Sequence, residues 1–245
     1  LTLGGLGVGE PTFYPAAWHD TAAFVTQVTD LPVVLTANAM TMMVCGVAWV
    51  LGCLHLTTRL LGSRPAVSVA AGLMASSFPA FPYLLSFYGV LFPNGMSIAF
   101  LPLWLGLLTE ALGLSKEPRA GSKTGLWITI LAVTGAVGLA HPSTVIVGLA
   151  LLWIMMLTVW WRSLRRSRPW WLKAAGGAGL IAWILVLQQI WFAARASQSA
   201  STWKPHASEP QALGEALATV DPNAPHLPWA LVVVVLLGAA ALLRH

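Results

Sequence analysis

From Thr36 onward the chain repeats one pattern: an apolar run long enough to cross a bilayer, then a short joint that carries charge. A helix needs roughly 20 apolar residues to cross a hydrocarbon core of about 30 Å, where every backbone N–H and C=O must be satisfied within the protein. Such runs lie at approximately 36–58, 66–83, 94–113, 125–141, 143–161, 172–193 and 228–243. Composition leaves no water-soluble alternative. Charged residues are 9% and hydrophobic residues 57% of the 245, where ordinary soluble domains carry roughly 25% charge. The expected fold class is all-α, a polytopic transmembrane helical bundle of about seven spans with an amphipathic surface helix before the first.

Charge decides the expected orientation. Of the 13 Lys and Arg, all but Arg195 and Lys204 fall on alternate joints: Arg59 and Arg64; Lys116, Arg119 and Lys123; Arg162, Arg165, Arg166, Arg168 and Lys173; and Arg244. That is the positive-inside pattern, and it also explains the net charge of +5 without nucleic acid as a partner. Of the 8 acids, all but Glu110 and Glu117 fall on the other side. The protein is expected to be integral to the plasma membrane with residues 1–35 and 194–227 outside, and membrane lipid is its first expected partner. By region, 1–35 is an outer loop with an interfacial helix, 36–193 a six-span region, 194–227 a second outer loop and 228–245 a seventh, truncated span. With Leu1 in place of Met and Arg244-His245 directly after an apolar run, the sequence is expected to be a piece of a larger protein. Cys45 and Cys53, eight residues apart in one expected helix, are separated by about 12 Å of rise, beyond disulfide reach.

The candidate site residues all belong to the expected outer side. From Pro15 to Leu31 a helical projection places Trp18, Ala22, Phe24, Val25, Val28 and Leu31 on one arc and His19, Asp20, Thr26, Gln27 and Asp30 on the other, as in an amphipathic helix on a membrane surface. His19 and Asp20, with Tyr14 nearby, have the chemistry of a general base, a proton carrier or an ion ligand; equally, they keep a wet face wet. His141 precedes Pro142 where the chain must turn, so its imidazole either lines an outward cavity or bonds a freed carbonyl. Tyr83 to Gly95 is too broken by Gly and Pro to cross, and reads as a re-entrant or interfacial hairpin. Within it, Tyr88 and Asn94 could contact a lipid-linked or carbohydrate ligand, and Asn94 also suits a helix cap. Lys204 and His206, with Arg195, are the cations that an anionic phosphate would seek on that side. His55, beside Arg59 near the inner end of the first span, is explained by snorkelling or packing. The sequence has no HExxH, paired CxxC, P-loop or GxSxG pattern.

Three stretches carry a resemblance: Tyr14-Pro15 with Trp18-His19; the span end Arg59-Leu60-Leu61-Gly62-Ser63-Arg64-Pro65; and Phe87-Tyr88-Gly89-Val90-Leu91-Phe92-Pro93-Asn94. Together they resemble an uncharacterised family of large actinobacterial polytopic membrane proteins, which is in turn similar to the type C glycosyltransferases. Those enzymes transfer sugar from a polyprenyl-phosphate donor on the outer membrane face. The resemblance implies a polyprenyl-phosphate-linked sugar as partner and a divalent metal ion as a frequent helper, although the residues themselves firmly imply no cofactor. It also implies that the catalytic carboxylate lies upstream, since Asp20 does not match its expected place; the catalytic residue is unknown. Under this reading His19, His141 and the Lys204 to His206 region line one outward cavity. The rivals are a transporter or flippase of a lipid-linked or small substrate, and a noncatalytic membrane assembly subunit. Spans with almost no ionisable groups count against ion coupling.

Overall fold

The computed structural model describes residues 15–77, 81–82, 85, 91–119, 121–166, 169–197, 208, 233 and 236. Among these there is no strand, and seven helices form: α1 (Ala17–Thr29), α2 (Val33–Leu61), α3 (Pro65–Ser77), α4 (Phe92–Ala111), α5 (Lys123–Ala140), α6 (Pro142–Leu164) and α7 (Trp170–Ser197). The starts follow local chemistry. Pro65 opens α3, Pro142 opens α6 and Pro93 sits in the first turn of α4, positions where a missing N–H costs nothing. Ser122 caps α5, its Oγ accepting the Gly125 N–H at 3.0 Å. At the end of α2 the chain turns at Gly62 with φ 93°, a conformation that favours glycine.

Five helices are long and apolar enough to cross a membrane: α2, α4, α5, α6 and the Trp170–Ile190 part of α7. Of the expected run at 66–83 the structure describes the 13-residue α3, about 20 Å of helix, and the helical residues 81–82, with 78–80 outside the described residues. The expected run at 228–243 lies outside the described residues except for Val233 and Leu236, both helical. The surface helix forms two residues shorter at each end than its pattern allowed, and its apolar arc divides. Trp18 is buried, while Phe24 and Val28 are 63% and 67% exposed.

Side-chain contacts give the order of the bundle. Gly52 of α2 sits against Ala99 and Leu103 of α4, and Arg59 meets Glu110, so α2 and α4 run parallel. Ser97 meets Thr144 and Trp104 meets Gly148, so α4 and α6 also run parallel. Helices α3, α5 and α7 return the opposite way, with Trp49 Nε1 donating to the Ala75 carbonyl and Trp153 Nε1 to the Leu180 carbonyl. The helix at the centre is α4, with 56% of its span buried against 22% or less in the other four. Trp104, Leu107 and Leu108 of α4 form a core with Leu126 and Ile130 of α5. Within the spans, Thr41, Thr57, Thr109 and Thr134 each donate a hydroxyl to the carbonyl four residues earlier, which satisfies them in apolar surroundings. Leu131, Leu139, Ile181 and Leu185 point outward, 56–71% exposed. Large apolar side chains all round such long helices make this an integral membrane protein.

The chain reversals produce two ends. One gathers the starts of α4 and α6, the close of α5 and, through Trp18, the start of α1. The other gathers the close of α2, α4 and α6 and the starts of α3, α5 and α7, together with Arg59, Arg64, Lys116, Arg119, Lys123, Arg162, Arg165, Arg166 and Lys173.

Candidate functional site

The end away from the basic joints is held by one stack and one buried hydroxyl pair. Trp18 lies on Phe92 with ring centroids 4.2 Å apart and an interplanar angle of 11°, which docks α1 on the first turn of α4. One and a half turns further in, Ser97 and Thr144 are buried with their hydroxyl oxygens 2.6 Å apart. Ser97 donates to the Asn94 carbonyl at 3.0 Å, so its single proton is committed and Thr144 is the donor to Ser97. The Thr144 N–H in turn donates to the His141 carbonyl at 3.2 Å. A continuous polar path therefore joins Asn94, Ser97, Thr144 and His141.

His141 has extended backbone between α5 and α6, and its N–H closes α5 on the Val137 carbonyl. Its Nδ1 lies 2.6 Å from the Ser143 Oγ. Burial pushes its imidazole pKa below the ordinary value, favouring the neutral ring. The ring bonds a hydroxyl of the next helix turn, a partner that neither of the two readings for His141 named.

His19 and Asp20 stand exposed in the first turn of α1, with the His19 ring edge-on to Trp18 at 5.2 Å. They share this end with Asn94 and His141 through the Trp18–Phe92 stack. Asn94 does not cap α4. The capping position is Leu91, which makes no side-chain cap bond, because Phe92 and Pro93 already have helical backbone and carry the start upstream of Asn94. Tyr14, Tyr88, Lys204 and His206 lie outside the described residues. The void at this end, lined by Trp18, Thr41, Cys45 and Phe92 among others, has a volume of about 10 Å³, room for one water. Among the described residues no three His, Cys, Asp or Glu side chains converge to hold a metal ion. The described residues at this end do not by themselves offer a divalent ion a set of ligands.

The basic end holds a cluster that sequence reasoning left unconnected. The Glu110 side chain, 6% exposed, meets Arg59 at 3.3 Å and Arg119 at 3.6 Å. Arg59 also donates to the Pro118 carbonyl at 2.9 Å and accepts the Lys116 N–H on its own carbonyl at 2.8 Å. Beside it, Glu117 accepts the Ser63 N–H and hydroxyl at 2.6 and 2.8 Å. The backbone bond from Ser63, then the hydroxyl, hold the Glu117 carboxyl below its usual range. The α4–α5 joint is thereby strapped across the end of α2. The lone acid in an inner-end apolar run was the available signal, because an unpaired carboxylate there would be costly. His55 packs against Gly106, and a Cβ on that glycine would overlap the imidazole; packing is the correct one of its two expected explanations.

Neither Cys45 nor Cys53 forms a disulfide. No curated protein and no solved structure matches the chain. Over its whole length, residues 1–245, the chain belongs to a family of unknown function, DUF6541.

Proposed function

We propose that this chain is the membrane-embedded part of a glycosyltransferase that takes a polyprenyl-phosphate-linked sugar at the membrane face opposite its basic joints. One observation carries the reading: polar groups gather at the end that lacks the basic joints, where Asn94, His141 and Ser143 connect to the buried Ser97–Thr144 pair and the exposed His19 and Asp20 belong to the helix docked there by Trp18. The positive-inside pattern supports an outward position for that end. In the reaction, an acceptor hydroxyl oxygen bonds to the anomeric carbon while the bond from that carbon to the lipid phosphate oxygen breaks. The phosphate leaves with the electron pair, and the hydroxyl proton passes to a carboxylate. By the resemblance that carboxylate is upstream, and Asp20 is given no role as base. In this reading the neutral His141 imidazole and the Ser143 hydroxyl, which bond each other, bond a sugar hydroxyl or the leaving phosphate.

Purified protein in liposomes containing a radiolabelled polyprenyl-phosphate sugar tests this. Release of polyprenyl phosphate with label transferred to an acceptor is expected, reduced about tenfold or more in His141→Ala. Donor that stays intact and unbound across hexose and pentose donors would refute the assignment.

A second reading, movement of a lipid-linked substrate across the bilayer, has its own observation. The π-helical turn Met43–Ala48 lies within α2; π-helical turns inside helices often mark functional sites, and irregular spans accompany moving elements. Transfer of an intact labelled donor between leaflets, with no bond cleaved, would favour it.

A further inference from the structure

A cavity of about 450 Å³ opens between α6 and α7 beside the close of α4, within the size range of small-molecule sites. Leu112, Met156, Val159, Leu172, Leu180 and Trp183 supply most of its wall. Trp160 fixes the floor, its Nε1 donating to the Lys173 carbonyl at 2.8 Å and its ring pressed on Gly176. Past the end of α6 at Leu164, the Arg166 N–H bonds the carbonyl of Ser163, which lines the cavity, at 3.2 Å, and Arg162 lies three residues beyond Val159 on α6. Arg165 sits over the Trp161 ring at 5.6 Å. Lys173 reaches the Leu164 carbonyl at 3.0 Å, so its ammonium lies in the same joint. Helices α6 and α7 contain no Asp or Glu, and Arg162, Arg165 and Arg166 are exposed. Trp170 and Trp171, 79% and 57% exposed, set this rim at the depth of lipid headgroups.

We infer that this crevice binds an anionic glycerophospholipid, with one acyl chain between α6 and α7 and the phosphate on the Arg162, Arg165 and Arg166 rim. Charge argues for this occupant over others. The chain's own apolar run at 228–243 ends in Arg244 and contains no acid, so it would leave the rim unneutralised. A second copy of the α6–α7 face would bring more cations.

Native mass spectrometry of the whole protein, released from micelles containing equal phosphatidylglycerol and phosphatidylcholine, tests the inference. Phosphatidylglycerol should be retained selectively. Each basic side chain near an anionic headgroup is worth roughly fivefold in affinity, so Arg162→Gln with Arg165→Gln and Arg166→Gln should reduce its retention by up to about a hundredfold. Gly179→Leu should reduce it too. A Cβ at Gly179 meets nothing within 4 Å, so leucine fills the crevice without displacing the fold, and an unchanged unfolding temperature would verify that. If the triple variant does not fold, Arg166→Gln alone carries the charge arm. Equal retention of the two lipids overturns the inference. So does selective retention unaffected by Gly179→Leu, which would mean surface adsorption. A dimer abolished by Gly179→Leu, or a crosslink between Cys placed at Gly179 and at Leu236, assigns the crevice to protein and also overturns it. Glycosyl transfer enters none of these readouts.

Discussion

Glu110 is the residue whose removal should cost most at the basic end. Its carboxylate is 6% exposed, and the Arg59 guanidinium 3.3 Å away is 15% exposed, whereas Arg119 at 3.6 Å is 33% exposed. Truncation as Glu110→Ala leaves the partly buried Arg59 guanidinium with the Pro118 carbonyl as its remaining side-chain bond. Losing one partner of a buried pair costs about 3–5 kcal/mol. The lower figure suits a pair near the end of its helices, and about 3 kcal/mol corresponds to more than a hundredfold in the folded to unfolded ratio. Arg119→Ala should cost no more than about 1 kcal/mol, since its contribution is largely screened. Replacing both charges, Glu110→Leu with Arg59→Met, should recover most of the loss, because the one cation left without its carboxylate, Arg119, is a third exposed and hydrated. The assay is unfolding in mixed micelles followed by tryptophan fluorescence, with a double-mutant cycle on Glu110 and Arg59 at low and high salt. A coupling energy of about 0.5–3 kcal/mol is expected, with little salt dependence. Were Glu110→Ala to cost no more than Arg119→Ala, or the coupling to vanish in salt, the cluster would be a hydrated surface pair and the reasoning wrong.

A Cβ on Gly148 would fall within the Trp104 ring, and Trp104 is 3% exposed; Gly148→Ala should therefore destabilise by about 1–3 kcal/mol through overpacking, while Gly135→Ala, with nothing within 4 Å of its Cβ, should not. Trp18→Ala should free α1 from Phe92, read as faster proteolysis or hydrogen exchange over 17–29 with the spans still protected. Because the folded His141 pKa is depressed, the unfolded chain binds the extra proton first as pH falls below about 6.5. Stability present above that pH should then decline toward the folded pKa, by at most about 1.4 kcal/mol per unit. His141→Gln should remove that part of the slope, and identical pH profiles for the two proteins would rule the effect out. For orientation, Thr29→Cys should react with an impermeant maleimide added outside intact cells and Arg166→Cys should not; the reverse pattern would invert the bundle.

Much of the helix plan was legible because its signals are local. Pro65, Pro93 and Pro142 mark helix starts, Gly62 marks a stop, and the apolar runs match α2, α4, α5, α6 and α7 to within a few residues. Of the run at 66–83, α3 accounts for Pro65–Ser77 and residues 81–82 are also helical, while 78–80 lie outside the described residues. The candidate site was legible as a side and not as a geometry. His19, Asp20, Asn94 and His141 do share one end, but Ser97 and Thr144, which join that end together, are small hydroxyl residues like many others in the spans. Asn94 was misassigned as a cap because Phe92 and Pro93 were not recognised as the first helical turn.

Sequence alone determined that the protein is helical and embedded in a membrane, because too few charges and runs of bilayer length admit nothing else. It also separated the basic joints from the acidic side, since charge alternates along the chain. Only the tertiary structure decided that α4 is central, that Glu110 is neutralised by Arg59 and Arg119, and that a crevice remains between α6 and α7. The reason is that lipid tails are as apolar as leucine, so a span's hydropathy does not tell a lipid-facing side from a protein-facing one. Which faces meet is settled by close approach at Gly52, Gly148 and Ser97 and by the need to pair buried charge, and both are properties of residues far apart in the chain.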